Sequence, residues 1–312
     1  MGLTWTHIVF TVASVVILPL YIFILFVICL QIKLSTFYVL LISQGIADIF
    51  AVINFFFAST LRYTSLFDEF YWDNQKILAN YSFLSFYFTI CVRSAGTALI
   101  SVQRYFTICL SGKSCGKTFC LIPSSVYVIV HWTSAVLLTV PLCKSLHSSF
   151  TAPHKLSMVN PPQQLADASL MAVTTVATCF TFSMVSYALI LVHLLSLRTL
   201  GKRSDRYEIR LCVQAIGFLL ALLLFFVYYV AMYVIGYIIG NNVSLLTKWR
   251  LYAPLITGFG TWVQPWMLLA FNREIRQNII KTVLCRKEAL FETTTMRTVS
   301  VWDVERHRVH VV

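Results

Sequence analysis

Two residues of opposite charge, Asp48 and Arg93, sit deep inside long apolar stretches of the chain. A charge in hydrocarbon is costly enough to need a reason. Asp48 lies 11 residues after Phe37, and Arg93 lies 11 residues before Arg104. At the helical rise, each therefore stands about 16 Å from the same boundary, so the two are at matching depth. The chemistry this predicts is an intramembrane ion pair, one that either fastens two helices together or serves as a switch. On that expectation, losing either partner damages the protein, and exchanging the two charges recovers part of the loss. Eleven residues are also close to three helical turns, so Arg93 and Arg104 share a helix face. Arg104 then points to the bundle interior at one mouth.

Catalytic chemistry finds no such footing. The segment Ser111-Gly112-Lys113-Ser114-Cys115-Gly116-Lys117-Thr118 ends like a phosphate-binding loop. Its first glycine is replaced by Ser111, however, and no strand precedes it to aim backbone amides at a phosphate. No zinc-protease helix, cysteine-rich metal pattern or nucleophile elbow is present. His7, His131, His147, His154 and His193 lack ligand spacing. We expect no enzyme activity, no cofactor and no metal.

The elements that must position these residues are seven apolar runs, His7 to Ile32, Phe37 to Ala58, Tyr81 to Leu110, Leu121 to Leu142, Ala168 to Leu195, Leu211 to Ile239, and Ala253 to Phe271. Each is about the 20 residues that a helix needs to cross a bilayer. With 58% hydrophobic and 12% charged residues, the chain carries more apolar surface than a soluble domain can bury. The expected fold is an all-α membrane protein, a seven-transmembrane helix bundle. After Phe271, Ile275, Ile279, Ile280 and Val283 fall on one face with Arg273, Arg276 and Lys281 elsewhere, which predicts a short amphipathic eighth helix in the interface. The expected division is a membrane domain over 1–285 and a cytoplasmic tail over 286–312.

Orientation follows from basic residues, which are retained on the cytoplasmic side. With the amino terminus outside, 17 Lys and Arg lie within, and only Arg62, Lys76, Lys144, Lys155, Lys248 and Arg250 lie without. The net charge of +12 is thus placed against inner-leaflet lipid and a cytoplasmic partner, not nucleic acid. The six residues before His7 are uncharged, so no ligand-binding ectodomain is expected, and the first run lacks the basic start of a signal peptide. Most cysteines fall in apolar runs or on the inner side and only Cys143 lies near the outer one, so no disulfide is expected there. Cys285, at the end of the amphipathic segment, is a palmitoylation candidate. The sequons at Asn80 and Asn242 are both close to a helix end.

Ser101-Val102-Gln103-Arg104-Tyr105 resembles the Asp-Arg-Tyr signature of G protein-coupled receptors, with Gln103 in place of the acid. Ala47-Asp48, Trp132 in the fourth run, Tyr187 in the fifth and Pro265 in the seventh resemble the same superfamily. The sixth run, by contrast, has neither proline nor tryptophan, and the seventh reads Gln264-Pro265-Trp266-Met267-Leu268. With Leu18-Pro19-Leu20-Tyr21, Ser43-Gln44-Gly45-Ile46-Ala47-Asp48 and Cys91-Val92-Arg93-Ser94-Ala95-Gly96, the chain is similar to the nematode serpentine chemoreceptors of the Srg superfamily, class Srv above all.

This resemblance implies a chemosensory receptor in the plasma membrane, by analogy in the cilium of a sensory neuron. It implies a small molecule bound in the bundle and a heterotrimeric G protein engaged through Arg104, Tyr105 and Tyr187. Arg93 then occupies the place where many such receptors hold sodium beside the aspartate. Candidate pocket residues are Tyr87, Thr89, Thr174, Thr178, Tyr229, Tyr233 and Trp262. The outer half of the third run has no acid, which argues against a simple amine ligand. The rival reading is a transporter or channel of seven helices.

Overall fold

The computed structural model describes residues 4–31, 35–110, 113–153, 155–199, 206–238 and 243–283. Within them the apolar runs are helices, because a chain in lipid must satisfy every backbone polar group internally. In order these are α1 (Trp5–Gln31), α2 (Thr36–Phe55), a short α3 (Asp68–Asp73), α4 (Gln75–Cys109), a short α5 (Ser114–Leu121), α6 (Ser124–Thr139), α7 (Pro162–Thr199), α8 (Arg206–Tyr233), a short α9 (Val243–Arg250), α10 (Ala253–Phe271) and α11 (Arg273–Val283). Six of them are long and apolar enough to cross a membrane. The seventh spanning helix, α10, has 19 residues and buries Thr257, Thr261 and Gln264. At about 28 Å it still matches the hydrocarbon thickness.

Large apolar side chains such as Val15, Val16, Leu137 and Val192 stay exposed on the outside of the bundle. A water-soluble protein seldom leaves so much apolar surface open, whereas in lipid this is the solvent-facing side. The central element is α4, which packs against α2, α6 and α7. Gly96 makes that approach possible, since a Cβ there would collide with the Gln44 side chain of α2 and the His131 ring of α6. Polar bonds then fasten the three helices. His131 Nε2 bonds the Val92 carbonyl at 2.8 Å and Nδ1 bonds Ser43 Oγ at 2.9 Å. A carbonyl only accepts, so Nε2 carries the proton and Nδ1 accepts from Ser43. Trp132 Nε1 in turn donates to Ser43 Oγ at 3.0 Å.

The end that carries the amino terminus is capped. There α2 continues through a π-helical turn at Phe56–Thr60 and a 3-10 turn at Leu61–Tyr63. The connector between α6 and α7 forms an antiparallel hairpin, β1 (Ser149–Ala152) with β2 (Lys155–Val159), pairing Phe150 with Met158. The expectation of an all-helical chain therefore holds for the bundle, with this hairpin as an addition. Its Phe150 and Leu156 pack on Tyr71 of α3 and Ala79 of α4, which gives the two strands the apolar support that an isolated hairpin lacks. Tyr71 Oη donates to the Phe57 carbonyl, and burial pushes its phenol above the ordinary tyrosine value, which keeps it a donor.

At the opposite end α11 is docked. Asn272 Oδ1 accepts from the Ile275 amide at 3.2 Å and so starts the helix, while Arg276 Nη1 reaches back to the Ala270 carbonyl at 3.2 Å. Ile275 is fully buried, Ile279 packs against the core and Ile280 is exposed. Tyr38 Oη of α2 donates to Glu274 Oε2 at 2.6 Å.

Candidate functional site

Midway along the bundle, Arg93 Nε of α4 donates to Asp48 Oδ1 of α2 at 2.7 Å, with both side chains buried. The structure thus brings this pair into direct contact, and it adds partners that depth alone did not reveal. Tyr21 Oη of α1 donates to Asp48 Oδ2 at 3.2 Å. Arg93 Nη1 donates to the Thr257 carbonyl of α10 at 3.2 Å, and the guanidinium carbon lies 5.0 Å from the Phe225 ring centre of α8. Gly260 admits Arg93 to α10, since a Cβ there would meet both Arg93 Nη2 and Phe225. Five helices meet at one ion pair. Such a pair, hydrogen-bonded on both sides, is expensive to break from either side.

Above it, at the end that carries the amino terminus, lies a cavity of about 180 Å³. Its walls come from the start of α1 (Thr4, His7), the end of α2 and its extension (Asn54, Phe55, Arg62), the start of α4 (Phe83, Phe86, Tyr87, Thr89), β2 and the residue after it (Met158, Asn160), α8 (Tyr228, Met232), and the α9 to α10 junction (Arg250, Pro254). His7 is held between Thr4, with Nδ1 to Oγ1 at 2.6 Å, and Ser59, with Nε2 to Oγ at 3.2 Å. Asn54 Oδ1 accepts from Tyr81 Oη at 2.8 Å. The lining is aromatic with a few fixed polar groups, as small-molecule sites commonly are.

Of the pocket residues expected from the sequence, Tyr87 and Thr89 line this cavity. Thr174 and Thr178 do not, for they lie on the exposed face of α7. Thr174 Oγ1 bonds the Leu170 and Met171 carbonyls of its own helix, and back-bonding of this kind lets a threonine face lipid without an unsatisfied hydroxyl. Tyr229 is buried and packs against Tyr87, with ring centres 6.2 Å apart, but is not on the lining. Trp262 packs at a tilt against Phe10 and donates to Ser14 Oγ at 3.4 Å, and Tyr233 is half-buried on α8; neither lines the cavity. The sequence reading missed His7, Asn54, Arg62, Asn160 and Arg250. Arg62 and Arg250 lie just beyond run ends and were read only for orientation, and His7 begins the first run, whereas Asn54 inside the second run and Asn160 in a connector carried no such signal.

At the far end, Arg104 lies with its guanidinium carbon 3.2 Å from the Phe37 ring centre of α2. Tyr105 is half-buried beside Phe106, and Tyr187 is half-buried on α7. Helix α4, not a strand, precedes Lys113, so the phosphate-loop likeness lacks its scaffold. Cys285 and the sequon residue Asn242 lie outside the described residues, as does the tail over 286–312. Among the described residues Cys143 is a free thiol, and no group of three acids, histidines or cysteines is placed to hold a metal.

Comparison with known proteins adds one finding. The family model described as serpentine type 7TM GPCR chemoreceptor Srv matches residues 10–285, most of the chain. No curated protein matches.

Proposed function

The chain belongs to the Srv family of serpentine seven-transmembrane chemoreceptors, and from that membership we propose that it binds a small molecule in the cavity at its amino-terminal end and activates a heterotrimeric G protein at the other. On this reading the amino terminus is outside and the tail cytosolic, as the basic residues suggest. The protein works without catalysis or cofactor, in the plasma membrane of a sensory cell, by analogy in a cilium. Cys285 is a lipidation site that holds the end of α11 to the inner leaflet.

One observation carries the reading. A single helix, α4, bears the cavity residues Phe83, Phe86, Tyr87 and Thr89, then Arg93 of the five-helix ion pair, then Arg104 at the far end. The proposed ligand contact, the ion pair and the proposed coupling surface are therefore carried in series by one helix, and the reading takes the ion pair as the switch. A ligand that prefers one arrangement of the Asp48 and Arg93 contacts would shift Arg104 and, with it, Tyr105 and Tyr187.

The test is expression at the surface of reporter cells with a promiscuous G protein and a calcium readout, screened with small molecules. Phe86→Trp, which fills the cavity, should abolish the response at unchanged surface level. Arg104→Ala should abolish the response while leaving ligand-dependent thermal stabilisation of the purified protein intact. A response that survives both variants overturns the reading.

A further inference from the structure

Among the described residues the cavity lining carries two arginines, Arg62 and Arg250, and neither aspartate nor glutamate. Arg62 is only 8% exposed, yet its Nε and Nη1 have no hydrogen-bond acceptor among the described residues. Nη2 has one long contact, 3.5 Å to Tyr63 Oη. The ring centres of Tyr63 and Phe150 lie 5.1 and 5.4 Å from the guanidinium carbon. Ring faces attract the cation but do not satisfy its in-plane N–H groups. Arg62 is thus fixed by its neighbours with Nε and Nη1 unused and closed off from water, so an acceptor reaches them only when the side chain turns toward the cavity it lines, and until then the arrangement costs stability.

A carboxylate is the matching acceptor, since its two oxygens fit the guanidinium fork. Arg250 adds a second positive charge to the same wall, and no acid on the lining repels an anion. Asn160 supplies a further mark: its Oδ1 is buried on this lining without a donor. Once the side chain turns to open it to the cavity, it would accept from a hydroxyl or N–H group on the occupant. Size limits the remainder. A cavity of about 150 Å³ accepts benzene, so one of about 180 Å³ suits a single small ring or a branched chain.

Resting on the reading of this cavity as the ligand site, we infer that the ligand is a small organic acid. Its carboxylate lies against Arg62, and its compact apolar body lies among Phe55, Phe83, Phe86 and Met232. Amines are rejected by charge, and neutral isosteres bind more weakly because they leave the Arg62 fork half used.

The test uses the purified full chain in detergent. Thermal unfolding is followed with carboxylates from butanoate to phenylacetate and hydroxylated forms of each, every acid set beside its primary amide and its amine. At least one acid should raise the unfolding temperature at concentrations where its amide and amine do not. Arg62→Gln should weaken that acid by about ten- to a hundredfold and leave the amide unchanged, so that the preference for the acid collapses. Arg250→Gln should weaken it less, because that side chain is half-exposed and its charge is screened. Should Arg62→Gln not fold, Arg62→Lys keeps the charge without the fork and should lose part of the preference. The inference is overturned if no acid stabilises the protein, if amides or amines bind as well, or if the preference survives the loss of both arginines. Acid binding with no G protein response would instead defeat the signalling reading alone. A response driven through the cavity by neutral or cationic molecules would keep the receptor reading and defeat this one.

Discussion

At the residue scale the buried carboxylate of Asp48 decides what substitutions do. Removing its charge with Asp48→Asn, or the opposing one with Arg93→Met, leaves an uncompensated ion among five helices. Each single change should cost about 3–5 kcal/mol, measured as thermal stability in detergent. Replacing both, Asp48→Leu with Arg93→Met, should be more stable than either single change, because no charge is then stranded. From the pairing alone, exchanging the charges would be expected to recover part of the loss. The structure predicts otherwise. An aspartate at position 93 would face the Thr257 carbonyl and the Phe225 ring, both of which repel an anion. Recovery of stability by the exchange would show that the contact matters more than its surroundings. Asn80 is a second case at this scale. Its Nδ2 donates to the Lys76 carbonyl at 2.7 Å and its Oδ1 accepts from the Ser148 amide at 2.9 Å. The Oδ1 bond thus ties the start of the hairpin to α4, the Nδ2 bond is made within α4, and the nitrogen that would receive a sugar is in use. Asn80 should carry no glycan, so Asn80→Gln should leave the gel mobility of the expressed protein unchanged, whereas an occupied site would show a shift.

At the element scale α4 is the rod on which the molecule is assembled, and Gly96 is where its neighbours come closest. Gly96→Val should lower stability by about 1–3 kcal/mol or more, since Gln44 and His131 must both move and the His131 bonds to Val92 and Ser43 then stretch. An unchanged unfolding temperature would mean that α2 and α6 are not clamped on α4 as described. Thr174 and Thr178 belong to this scale as well. They are four residues apart and share a face, which periodicity makes legible. Which way that face points is a matter of packing. Polar residues in an apolar run suggest an interior lining, but a hydroxyl that bonds its own backbone removes the need for one. Tyr229 does not line the cavity but packs against Tyr87, which does.

At the scale of the whole molecule the two ends are chemically different. One end has the hairpin, the capping turns and the arginine-lined cavity, and the other has Arg104 and the docked α11. Orientation decides which end meets the outside, and on the proposed reading, which rests on the distribution of basic residues, it is the cavity end. Tags at both termini on intact cells test this, with the expected outcome that only the amino-terminal tag is reached by antibody. Staining of a carboxy-terminal tag without permeabilisation would reverse the assignment, and the cavity would then face the cytosol.

The sequence alone determined the membrane, the seven helices, the eighth and the depth of the ion pair, because each follows from composition or from local periodicity. Helix ends were read less well. Helix α4 starts at Gln75, not Tyr81, since its first turns are polar and rise clear of the apolar run. The hairpin escaped notice because the strand pattern of Ser149–Val159 is short and gains its stability from Tyr71 and Ala79, remote in sequence. Only the tertiary structure decided which polar residues converge. Arg62, Arg250, His7 and Asn160 come from four separate parts of the chain, and their shared cavity depends on how the helices are rotated and stacked. Rotation is set by long-range packing such as Gly96 against Gln44 and His131, which no local pattern encodes.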